Sequence, residues 1–515
     1  SKMSVAEGTY EGALDALLRS PLHQARTKED LAKAAARRTS TISDMKTYLR
    51  RLSLDKFPSN IVHVTGTKGK GSTCCICESI LREQYGWKTG LFTSPHLVDI
   101  RERIRIDGKP VSKTVFAQVY WQVRTRLERN ASLHSDDADL PVLPGYFRML
   151  TLMALFAFAH YEPKLDVMIL EVGMGGRYDA TNILDIEGRN AVCGVTLLDL
   201  DHTRVLGDTL EKIAWEKGGL FQATKGQSST QQSSSKQQDA FFAIDTNTPS
   251  VLSVLSKCAQ EEGNGRALQL VGDCTQAVPK DAAIGLPGSH QRINAMLAVA
   301  LSEAIVKQSK NTANANEDGL RRGLANATWP GRCQTVRLPN TTTTLRLDGS
   351  HTPISLRAGY EWFCSVSQPK RILIFNCSHE RNPVELLQIL SEKPNLFEKA
   401  FFCRSDFERP SAVTKKDAKS LLTDASIPTK SELLPSGDND NPITWQMTLE
   451  SIWKHLNVSQ GAETVANLTV GEVLEQVAKE GPVPVEVFVV GSLYIVGSAL
   501  NAIGWSEPDA EGELK

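Results

Sequence analysis

Apolar residues in the first 58 positions recur at the spacing of amphipathic helices. One helix is predicted around Ala13, Leu14, Leu17 and Leu18, and a second from Ile42 to Leu52. Farther along, a short apolar run leads into a glycine-rich turn, a helix and another apolar run. That order is typical of a parallel α/β sheet, because parallel strands need a crossover connection that is usually helical.

Strand-like segments form two series that meet near residue 330, in the sequence WPGRC. The first series includes Val167–Glu171, Ala191–Leu198 and Phe241–Ile244, with a buried helix predicted over residues 146–161. The second series consists of apolar runs at Thr344–Leu347, Arg371–Asn376, Ala400–Cys403 and Val485–Val490. We expect two domains, residues 1–330 and 331–515, since 515 residues exceed what one hydrophobic core supports.

Two polar segments interrupt these domains. Residues 226–239, GQSSTQQSSSKQQD, offer no apolar side chain to a core, so we expect a disordered surface insertion there. A second polar insertion, PSGDNDNP, lies in the second domain.

Bulk composition excludes several classes of protein. The chain is 41% hydrophobic and 23% charged, with a formal net charge of −1 and a pI of about 6.8. It therefore has no bulk attraction for nucleic acid or for an anionic membrane. Its apolar stretches are too short or too interrupted to cross a bilayer, and no secretory signal is visible. We expect a soluble protein without a transmembrane segment.

Ten cysteines are scattered along the chain without the regular spacing of a disulfide framework. This pattern favours reduced thiols in a cytosol-like compartment. Cys74, Cys75 and Cys77 lie close together, but no further Cys or His pair stands near them at ligand spacing. We interpret them as small apolar residues on a buried helix face and not as a metal site.

Residues 61–73, IVHVTGTKGKGST, approach a phosphate-binding loop without matching its usual form. Against G-x-x-x-x-G-K-[ST], Val64 stands where the first glycine belongs and Gly71 where the hydroxyl belongs. The position between a strand and a helix compensates, because amides at a helix start converge on one point and the helix dipole favours negative charge there. Lys70 adds a positive charge. We predict phosphate binding, with a purely structural glycine turn as the alternative.

A nucleoside triphosphate brings magnesium, which prefers oxygen ligands. Glu171 is the leading candidate, because it ends an apolar strand and projects from the carboxyl edge of the sheet; a helix-capping role is the alternative. His202 follows a strand and Lys217 lies near the end of the next helix. Taken alone, His202 is more simply an ordinary core or surface residue.

In the second domain, Asp348, Gly349 and His351 form a turn after a strand, and Arg332 lies at the domain joint. These groups could close over a nucleotide bound to the first domain. An Asx-type turn with a solvated arginine explains the same residues equally well.

With these segments in place, the chain resembles the Mur ligase superfamily and, within it, the folylpolyglutamate synthase family of the eukaryotic type. The resemblance runs from about Thr9 to Gly504 and is carried by nine ordered blocks: VTGTKGKGST, GLFTSPHLVDIRERIRIDGKPVS, PGYFRMLTLMALFAF, EVGMGGRYDATNI, DHTRVLGDTLEKIAWEKGG, GSHQRINAMLA, WPGRCQ, LDGSHT and VFVVGSLYIVG. It implies an α/β fold in which a P-loop-containing parallel-sheet ATPase domain precedes a smaller, Rossmann-like α/β domain.

The resemblance also implies a reaction, the ATP-dependent addition of L-glutamate to the terminal γ-carboxylate of a reduced folate. ATP phosphorylates that carboxylate, and the amine of glutamate then displaces phosphate from the acyl phosphate. The implied partners are ATP, the folate and glutamate, and no nucleic acid. The implied cofactors are magnesium at two sites and a monovalent cation. We expect a monomer in the cytoplasm, the mitochondrial matrix or both.

By the same resemblance, the first domain holds the triphosphate and both metal ions. The loop residues that would contact ATP are Gly66, Thr67, Gly69, Lys70, Gly71 and Ser72. Ser94 of TSPH and Glu171 would bind the magnesium between the phosphates, and His202 a second magnesium near the acyl phosphate. Lys217 matches a lysine that the family carbamylates with CO2, which turns a cation into an anion.

Further roles follow from the resemblance. Asn294 would face the adenine, with Gln291 as a second candidate. Arg332, Asp348 and His351 would contact ATP from the second domain, and His351 joins Lys70, His202 and Lys217 among the implied catalytic residues. The family commonly has DGAHN where this chain has DGSHT, so the role of that asparagine is open at Thr352.

Folate contacts are the least defined. Arg101, Arg103 and Arg105 alternate with other residues, so we expect them on one strand face, where one could pair with the glutamyl tail of the folate. Solvated charges on an exposed strand are the alternative. We expect Tyr146 and Phe147 to begin a core helix and not to stack on a pterin.

Three other functions remain as alternatives. Dihydrofolate synthase shares the fold and mechanism but adds the first glutamate to dihydropteroate; the blocks GYFRMLT and GGRYDATN favour the polyglutamylating branch. A GTPase switch would need Thr414–Asp417 as its base-reading motif, but no clear apolar strand precedes it. A binding module without catalysis would not require Lys70, Glu171, His202 and Lys217 together.

Overall fold

A computed structural model describes residues 8–19, 37–54, 57–132, 140–183, 190–224, 240–272, 278–309, 316–365, 370–406, 417–437, 442–457, 462–479 and 483–514. The chain forms two compact units. The first unit contains Ser1–Gly285, Gln291–Thr328 and Glu507–Lys515, and the second contains Leu286–His290 and Trp329–Ser506.

Helices and strands alternate through both units. The helices are α1 (Tyr10–Leu18), α2 (Thr41–Leu52), α3 (Lys70–Tyr85), α4 (Lys113–Arg129), α5 (Tyr146–His160), α6 (Thr203–Leu206), α7 (Leu210–Gly218), α8 (Pro249–Glu262), α9 (His290–Gln308), α10 (Glu317–Asn326), α11 (Pro353–Cys364), α12 (Pro383–Leu390), α13 (Ala418–Asp424), α14 (Trp445–Leu456), α15 (Val470–Ala478) and α16 (Leu493–Ala502). The strands are β1 (Asn60–Thr65), β2 (Thr89–Phe92), β3 (Ile104–Ile106), β4 (Lys109–Pro110), β5 (Tyr161–Glu162), β6 (Val167–Glu171), β7 (Asn190–Val195), β8 (Phe241–Ile244), β9 (Leu268–Val271), β10 (Gln334–Arg337), β11 (Thr344–Asp348), β12 (Lys370–Phe375), β13 (Lys399–Arg404), β14 (Glu463–Thr469), β15 (Val485–Val490) and β16 (Glu513–Leu514). Short 3₁₀ helices span Ile100–Arg103, Gly219–Thr224 and Ser431–Leu433.

The first unit is built on an eight-stranded sheet in the order β4-β3-β2-β6-β1-β7-β8-β9. The strands from β2 to β9 in this order are parallel, and β3 pairs antiparallel with both β2 and β4. Every residue of β1 and β6 is buried, as expected for parallel strands covered on both faces. Val64 is in register with Glu171, and Thr65 with Val195, so the carboxyl ends of β6, β1 and β7 meet at the middle of the sheet.

Close helix packing supports that edge. The residues of α5 from Met149 to Phe158 are all buried, and all except Thr151 belong to an apolar cluster with residues of α2 and α4. On α3, the Ser79 hydroxyl donates to the carbonyl of Gly323 on α10 at 2.7 Å. A Cβ on Gly323 would lie 2.8 Å from Ile80 Cα, so a glycine is needed at this crossing.

The second unit carries a six-stranded sheet in the order β10-β11-β15-β12-β13-β14, in which β10 pairs antiparallel with β11 and the other pairs are parallel. Stacked rings fill its core; Phe363 and Phe488 have centroids 4.6 Å apart. Asp348 is in register with Val490, at the carboxyl ends of β11 and β15.

The predicted α/β class with two domains is confirmed, and β8 and β15 have the predicted bounds. The strand predicted to reach Leu198 ends at Val195, because the following residues form a loop bonded to the glycine-rich turn. The ranges 1–330 and 331–515 miss two exchanged segments: residues 286–290 belong to the second unit and residues 507–515 to the first. The Ser/Gln tract at 226–239 and residues 414–416 lie outside the described residues.

Two further expectations concern membranes and thiols. In the parts of the chain that the structure describes, no helix is long and apolar enough to cross a membrane. The nine cysteines within those parts are all free thiols. Burial raises the pKa of Cys77 to about 12, which agrees with the predicted buried, unreactive helix face.

Candidate active site

The glycine-rich loop connects β1 directly to α3. Gly66 (φ +148°) and Gly69 (φ +88°) adopt backbone conformations that favour glycine, and a Cβ on Gly66 would overlap the hydroxyl of Thr196. The first bond of α3 runs from Thr73 N–H to the Gly69 carbonyl. The amides of Lys70, Gly71 and Ser72 therefore precede the helical bonding pattern and sit where an anion binds at a helix start.

Thr67, which the resemblance implies as an ATP contact, bonds to the segment after β7. Its N–H and that of Lys68 donate to the carbonyl of Leu197 at 2.9 and 3.0 Å. Its hydroxyl donates to the Asp199 carbonyl at 3.1 Å. These bonds use the polar groups of Thr67 to hold the loop against the segment after β7.

Lys217 lies against this loop. Its amine, on the last turn of α7, donates to the Gly66 carbonyl at 2.7 Å, and the residue is only 4% exposed. Burial, followed by the neighbouring charge of Lys70, lowers the pKa of Lys217 well below its usual value. The structure thus brings together two of the predicted lysines at one turn.

Lys217 is held by the loop after β6, a contact that the sequence did not predict. Arg177 N–H donates to the Glu216 carbonyl at 2.8 Å, and Arg177 Nη2 donates to the Trp215 carbonyl at 3.1 Å. The guanidinium also pairs with Glu262 through two contacts of 2.7 Å. The glycine-rich sequence GMGGR is the signal for this close contact. A Cβ on Gly176 would lie 2.8 Å from the Lys217 carbonyl oxygen, so only a glycine lets the two segments approach.

Glu171 and Ser94 adjoin each other at the ends of β6 and the segment after β2. Ser94 N–H donates to Glu171 Oε2 at 3.0 Å, and Glu171 is 4% exposed. His202 is exposed, with left-handed backbone (φ +49°) at the start of α6, and its backbone N–H donates to Asp201 Oδ1 at 3.0 Å. Within the described ranges, no three or more His, Cys, Asp or Glu residues gather as a metal site.

This donor set fits magnesium that is shared with phosphates. Magnesium is typically held by one or two carboxylates with substrate phosphates and water, and not by a full protein cage. Glu171 and the Ser94 hydroxyl are hard oxygen donors beside the loop. The protein donors alone would leave the coordination incomplete.

A buried set of hydrogen-bonded polar side chains links the loop after β6 to β1, and the sequence did not predict it. Asp179 Oδ1 accepts the N–H and the hydroxyl of Thr181 at 3.0 and 2.6 Å, and Thr181 Oγ1 lies 2.8 Å from His63 Nε2. Since the hydroxyl donates to Asp179, it accepts from His63. Burial raises the pKa of Asp179 and lowers that of His63 to about 3, so His63 is neutral.

Asn294 packs on the glycine-rich loop, where a Cβ on Gly69 would overlap its side chain. Asn294 Nδ2 donates to Gln291 Oε1 at 2.9 Å, and both residues are buried. The two residues predicted to face the adenine therefore form one unit beside Gly69.

The expectation that three arginines share a strand face is wrong. Arg101 and Arg103 lie in the 3₁₀ helix, and only Arg105 is in β3. Carboxylates from the end of the chain pair with two of them: Asp509 with Arg101 and Glu507 with Arg105. Arg103 Nε instead donates to His96 Nδ1 at 3.0 Å, with its guanidinium 5.5 Å from the ring of Tyr146. Phe147 packs against the core, as expected.

In the second unit, Asp348 organises the turn after β11. Its Oδ2 accepts Cys333 N–H at 2.8 Å and its Oδ1 accepts Ser350 N–H at 2.9 Å. His351 Nδ1 donates to the Gly349 carbonyl at 3.0 Å, and Arg332 Nη1 donates to the Gly331 carbonyl at 3.2 Å. The structure brings the three predicted residues to one turn, and the Asx-type bond from Ser350 is present.

The loop and helix after β1 place the first unit in the class of P-loop nucleotide-binding proteins. No family model matches the chain. Curated relatives do: the folylpolyglutamate synthase of Arabidopsis thaliana is 32% identical over 551 residues, covering 96% of this chain and 88% of the relative. That of Saccharomyces cerevisiae is 33% identical over 513 residues, covering 96% and 86%. The chain therefore belongs to the folylpolyglutamate synthase family.

Mammalian relatives match a shorter region. The mitochondrial folylpolyglutamate synthase of Homo sapiens is 39% identical over 391 residues, or 70% of this chain, and the match spans 62% of the relative's length. Solved structures share the fold: E. coli FolC in complex with DHPP and ADP has a TM-score of 0.64 at 23% identity, covering 97% of this chain and 99% of that one. A Mycobacterium tuberculosis folylpolyglutamate synthase complexed with ADP has a TM-score of 0.66 at 21% identity, covering 96% and 100%.

Proposed function

We propose that this protein is an ATP-dependent ligase that adds L-glutamate to the terminal γ-carboxylate of tetrahydrofolates, with ADP and phosphate as products. The observation that carries the proposal is the contact between the buried Lys217 amine and Gly66 of the phosphate loop, in a chain that belongs to this family.

The reaction runs in two displacements. The folate γ-carboxylate oxygen attacks the γ-phosphorus of ATP, a C–O–P linkage forms, and ADP leaves. The neutral amine of glutamate then attacks the acyl carbon; phosphate leaves with the electron pair of the C–O bond, and the amine gives up one proton. Negative charge gathers in both steps, so the site must supply positive charge that is already in place.

Lys70 and the helix-start amides of residues 70–72 supply that charge for the triphosphate. Asn294, beside Gly69, supports the loop on the adenine side. Arg332, Asp348 and His351 of the second unit are proposed to complete ATP binding.

Glu171 and Ser94 would hold the magnesium between the phosphates, and His202 a second one. Magnesium, when bound, polarises phosphoryl oxygens and neutralises their charge. Ser94 is kept in place by the bond from its N–H to Glu171. A monovalent cation is a further proposed cofactor. We place the activity in a monomer of the cytoplasm or the mitochondrial matrix.

Lys217 is proposed to carry a carbamate. Only a neutral amine reacts with CO2, and burial favours the neutral form of Lys217. The reaction joins the amine nitrogen to the CO2 carbon and releases one proton. The resulting anion would support the second magnesium.

The folate is proposed to approach along the segment after Ser94. Arg103, whose guanidinium lies 5.5 Å from the ring of Tyr146, is the proposed contact for the glutamyl tail. E. coli FolC has been solved with DHPP and ADP, and a bifunctional folylpolyglutamate synthase/dihydrofolate synthase with Mn, AMPPNP and L-glutamate.

The existence of bifunctional neighbours keeps dihydrofolate synthase as the second candidate. Purified protein is incubated with ATP, magnesium and labelled glutamate, with tetrahydrofolate or dihydropteroate as acceptor. We expect incorporation into tetrahydrofolate. Turnover of dihydropteroate alone would replace the proposed activity, and incorporation into neither would reject the ligase.

A further inference from the structure

Residues 507–514, here called the strap, follow the second unit in the chain but belong to the first. Ala510 N–H donates to the Pro110 carbonyl at 2.7 Å, and Ala510 is buried in the apolar cluster of the first unit. β16 pairs antiparallel with β5. The strap is therefore built into the same unit as the glycine-rich loop.

Glu507 begins the strap and pairs with Arg105 of β3. Two parallel contacts join them, Arg105 Nη1 to Oε1 at 2.9 Å and Nη2 to Oε2 at 2.7 Å. Arg105 is 2% exposed, so this carboxylate compensates a charge that has left water. The two-pronged geometry also fixes the plane of the guanidinium.

Arg105 in turn holds Glu102. Its Nε donates to the Glu102 carbonyl at 3.0 Å. The Glu102 carboxylate accepts three backbone N–H groups of the segment after Ser94: Leu97 at 2.7 Å, Val98 at 2.9 Å and Asp99 at 2.7 Å. One buried carboxylate thus sets the path of residues 97–99.

The start of the same loop, at Thr93 and Ser94, is also held by hydrogen bonds. Thr93 N–H donates to the Arg103 carbonyl at 3.0 Å, and Ser94 N–H donates to Glu171. A continuous set of hydrogen bonds therefore leads from Glu507 through Arg105 and Glu102 to the loop that carries Ser94.

A second contact of the strap reaches the same loop. Asp509 accepts from Arg101 Nη1 at 2.5 Å, and Arg101 pairs with Asp99 at 2.9 Å. Asp99 also accepts from the Tyr10 hydroxyl at 2.8 Å. Two of the four acidic residues of the strap, Glu507 and Asp509, are thus connected to the segment 94–99.

We propose that the strap is a positioning element of the active site, in which Glu507 acts through Arg105 and Glu102 to hold Ser94 beside Glu171. Glu507 is a positioning residue and does not touch substrate. The role for magnesium binding rests on the proposed function, whereas the effect on the Ser94 loop does not.

The first test measures the loop itself, without ATP or metal. Hydrogen exchange of a peptide covering residues 93–99 is compared between wild type and Glu507→Gln, which removes the charge but keeps the size. We expect exchange about tenfold faster in the variant, because the opening of the loop becomes easier. The matched control is Glu486→Gln, which breaks a similar pair with Arg346 (2.7 Å) in the second unit.

Unchanged exchange at 93–99 in Glu507→Gln, or an equal increase in Glu486→Gln, would overturn the proposal. If Glu507→Gln does not fold, Glu507→Asp carries the test, since it keeps the charge and shortens the reach. We expect it to increase exchange at 93–99 by a smaller factor; exchange equal to that of wild type would count against the strap.

The second test measures magnesium-dependent ligation. We expect the half-saturating magnesium concentration to rise about tenfold in Glu507→Gln and to stay unchanged in Glu486→Gln, since residues behind metal ligands commonly alter affinity by this amount. Equal half-saturating magnesium concentrations in Glu507→Gln and Glu486→Gln would overturn the proposed link between Glu507 and Ser94. A wild-type protein without ligase activity would instead reject the proposed function, while the exchange experiment would still decide the role of the strap.

Discussion

The amine of Lys217 and the carbonyl oxygen of Gly66 are 2.7 Å apart, in a buried contact between α7 and the phosphate loop. Replacing Lys217 with Ala removes both this contact and the site of the proposed carbamate. We expect turnover to fall by about 100-fold or more, as for groups that act on developing charge. Steady-state ligation measures it; full activity of Lys217→Ala would contradict the proposed mechanism.

The same burial predicts a pH effect on stability. The pKa of Lys217 in the folded protein lies below its unfolded value, so between the two values the unfolded chain binds more protons. The free energy of unfolding of wild type should therefore rise with pH in this window, and this contribution should be lost as the pH falls. Lys217→Met lacks the titrating amine and should not show this effect. Melting temperatures of both proteins are measured from pH 7 to 9.5 in CO2-free buffer. The melting temperature of wild type should rise relative to that of Lys217→Met as the pH increases. A constant difference would show that the pKa is not depressed.

Gly66 should tolerate no side chain. A Cβ there would overlap the Thr196 hydroxyl, and its φ of +148° is strained for other residues. We expect Gly66→Ala to weaken ADP binding at least about tenfold, equivalent to about 1.4 kcal/mol. Gly86→Ala is the control, because Gly86 also has positive φ (+67°) but nothing within 4 Å. Gly86→Ala should lower the free energy of unfolding by about 1 kcal/mol and leave ADP affinity unchanged. If both variants lost the same amount of ADP affinity, the Gly66 effect would be due to backbone strain alone.

The residues just discussed show what the sequence could and could not predict. Strong apolar runs such as Val485–Val490 predicted the strand bounds correctly, and the predicted order of strand, glycine-rich turn and helix at residues 60–85 is confirmed. Periodicity did not distinguish Arg101, Arg103 and Arg105, because Arg101 and Arg105 pair with strap residues 408 and 402 positions away, whereas Arg103 donates to the nearby His96. Such long-range ion pairs leave no mark on local spacing.

The loop after β6 shows the same limit. Asp179, Thr181 and His63 form a buried chain only because β1 and β6 are neighbours in the sheet. Arg177 likewise acquires its role from α7 and α8, to which it donates. The sequence therefore predicted candidate residues that lie together on one loop, and it missed side chains such as Arg177 and Asp179 that hold loops in place.

Glu171→Gln tests the proposed magnesium site. The amide keeps the volume but loses the charge, so we expect the half-saturating magnesium concentration to rise about tenfold or more. Glu78→Gln is the matched control, since Glu78 is equally buried on α3 but accepts from Thr89 Oγ1 at 2.7 Å and from Arg82 Nε at 3.0 Å. It should lower the melting temperature without changing the magnesium response. The magnesium site would be misplaced if both variants responded alike.

Arg332 and Asp348 can be separated although they share one turn. Both carboxylate oxygens of Asp348 accept backbone N–H groups, so Asp348→Asn leaves one buried donor unpaired, at a cost of about 1–3 kcal/mol. We expect this variant to lower the melting temperature. Arg332 Nη1 donates to the carbonyl of the adjacent residue, Gly331, at 3.2 Å, so Arg332→Met should leave the melting temperature nearly unchanged.

If Arg332 binds ATP, Arg332→Met should raise the KM for ATP about tenfold, the amount expected for one charge-assisted hydrogen bond. Thermal unfolding and ATP titration of both variants provide the measurement. A lower melting temperature with an unchanged KM in Arg332→Met would give Arg332 a structural role only.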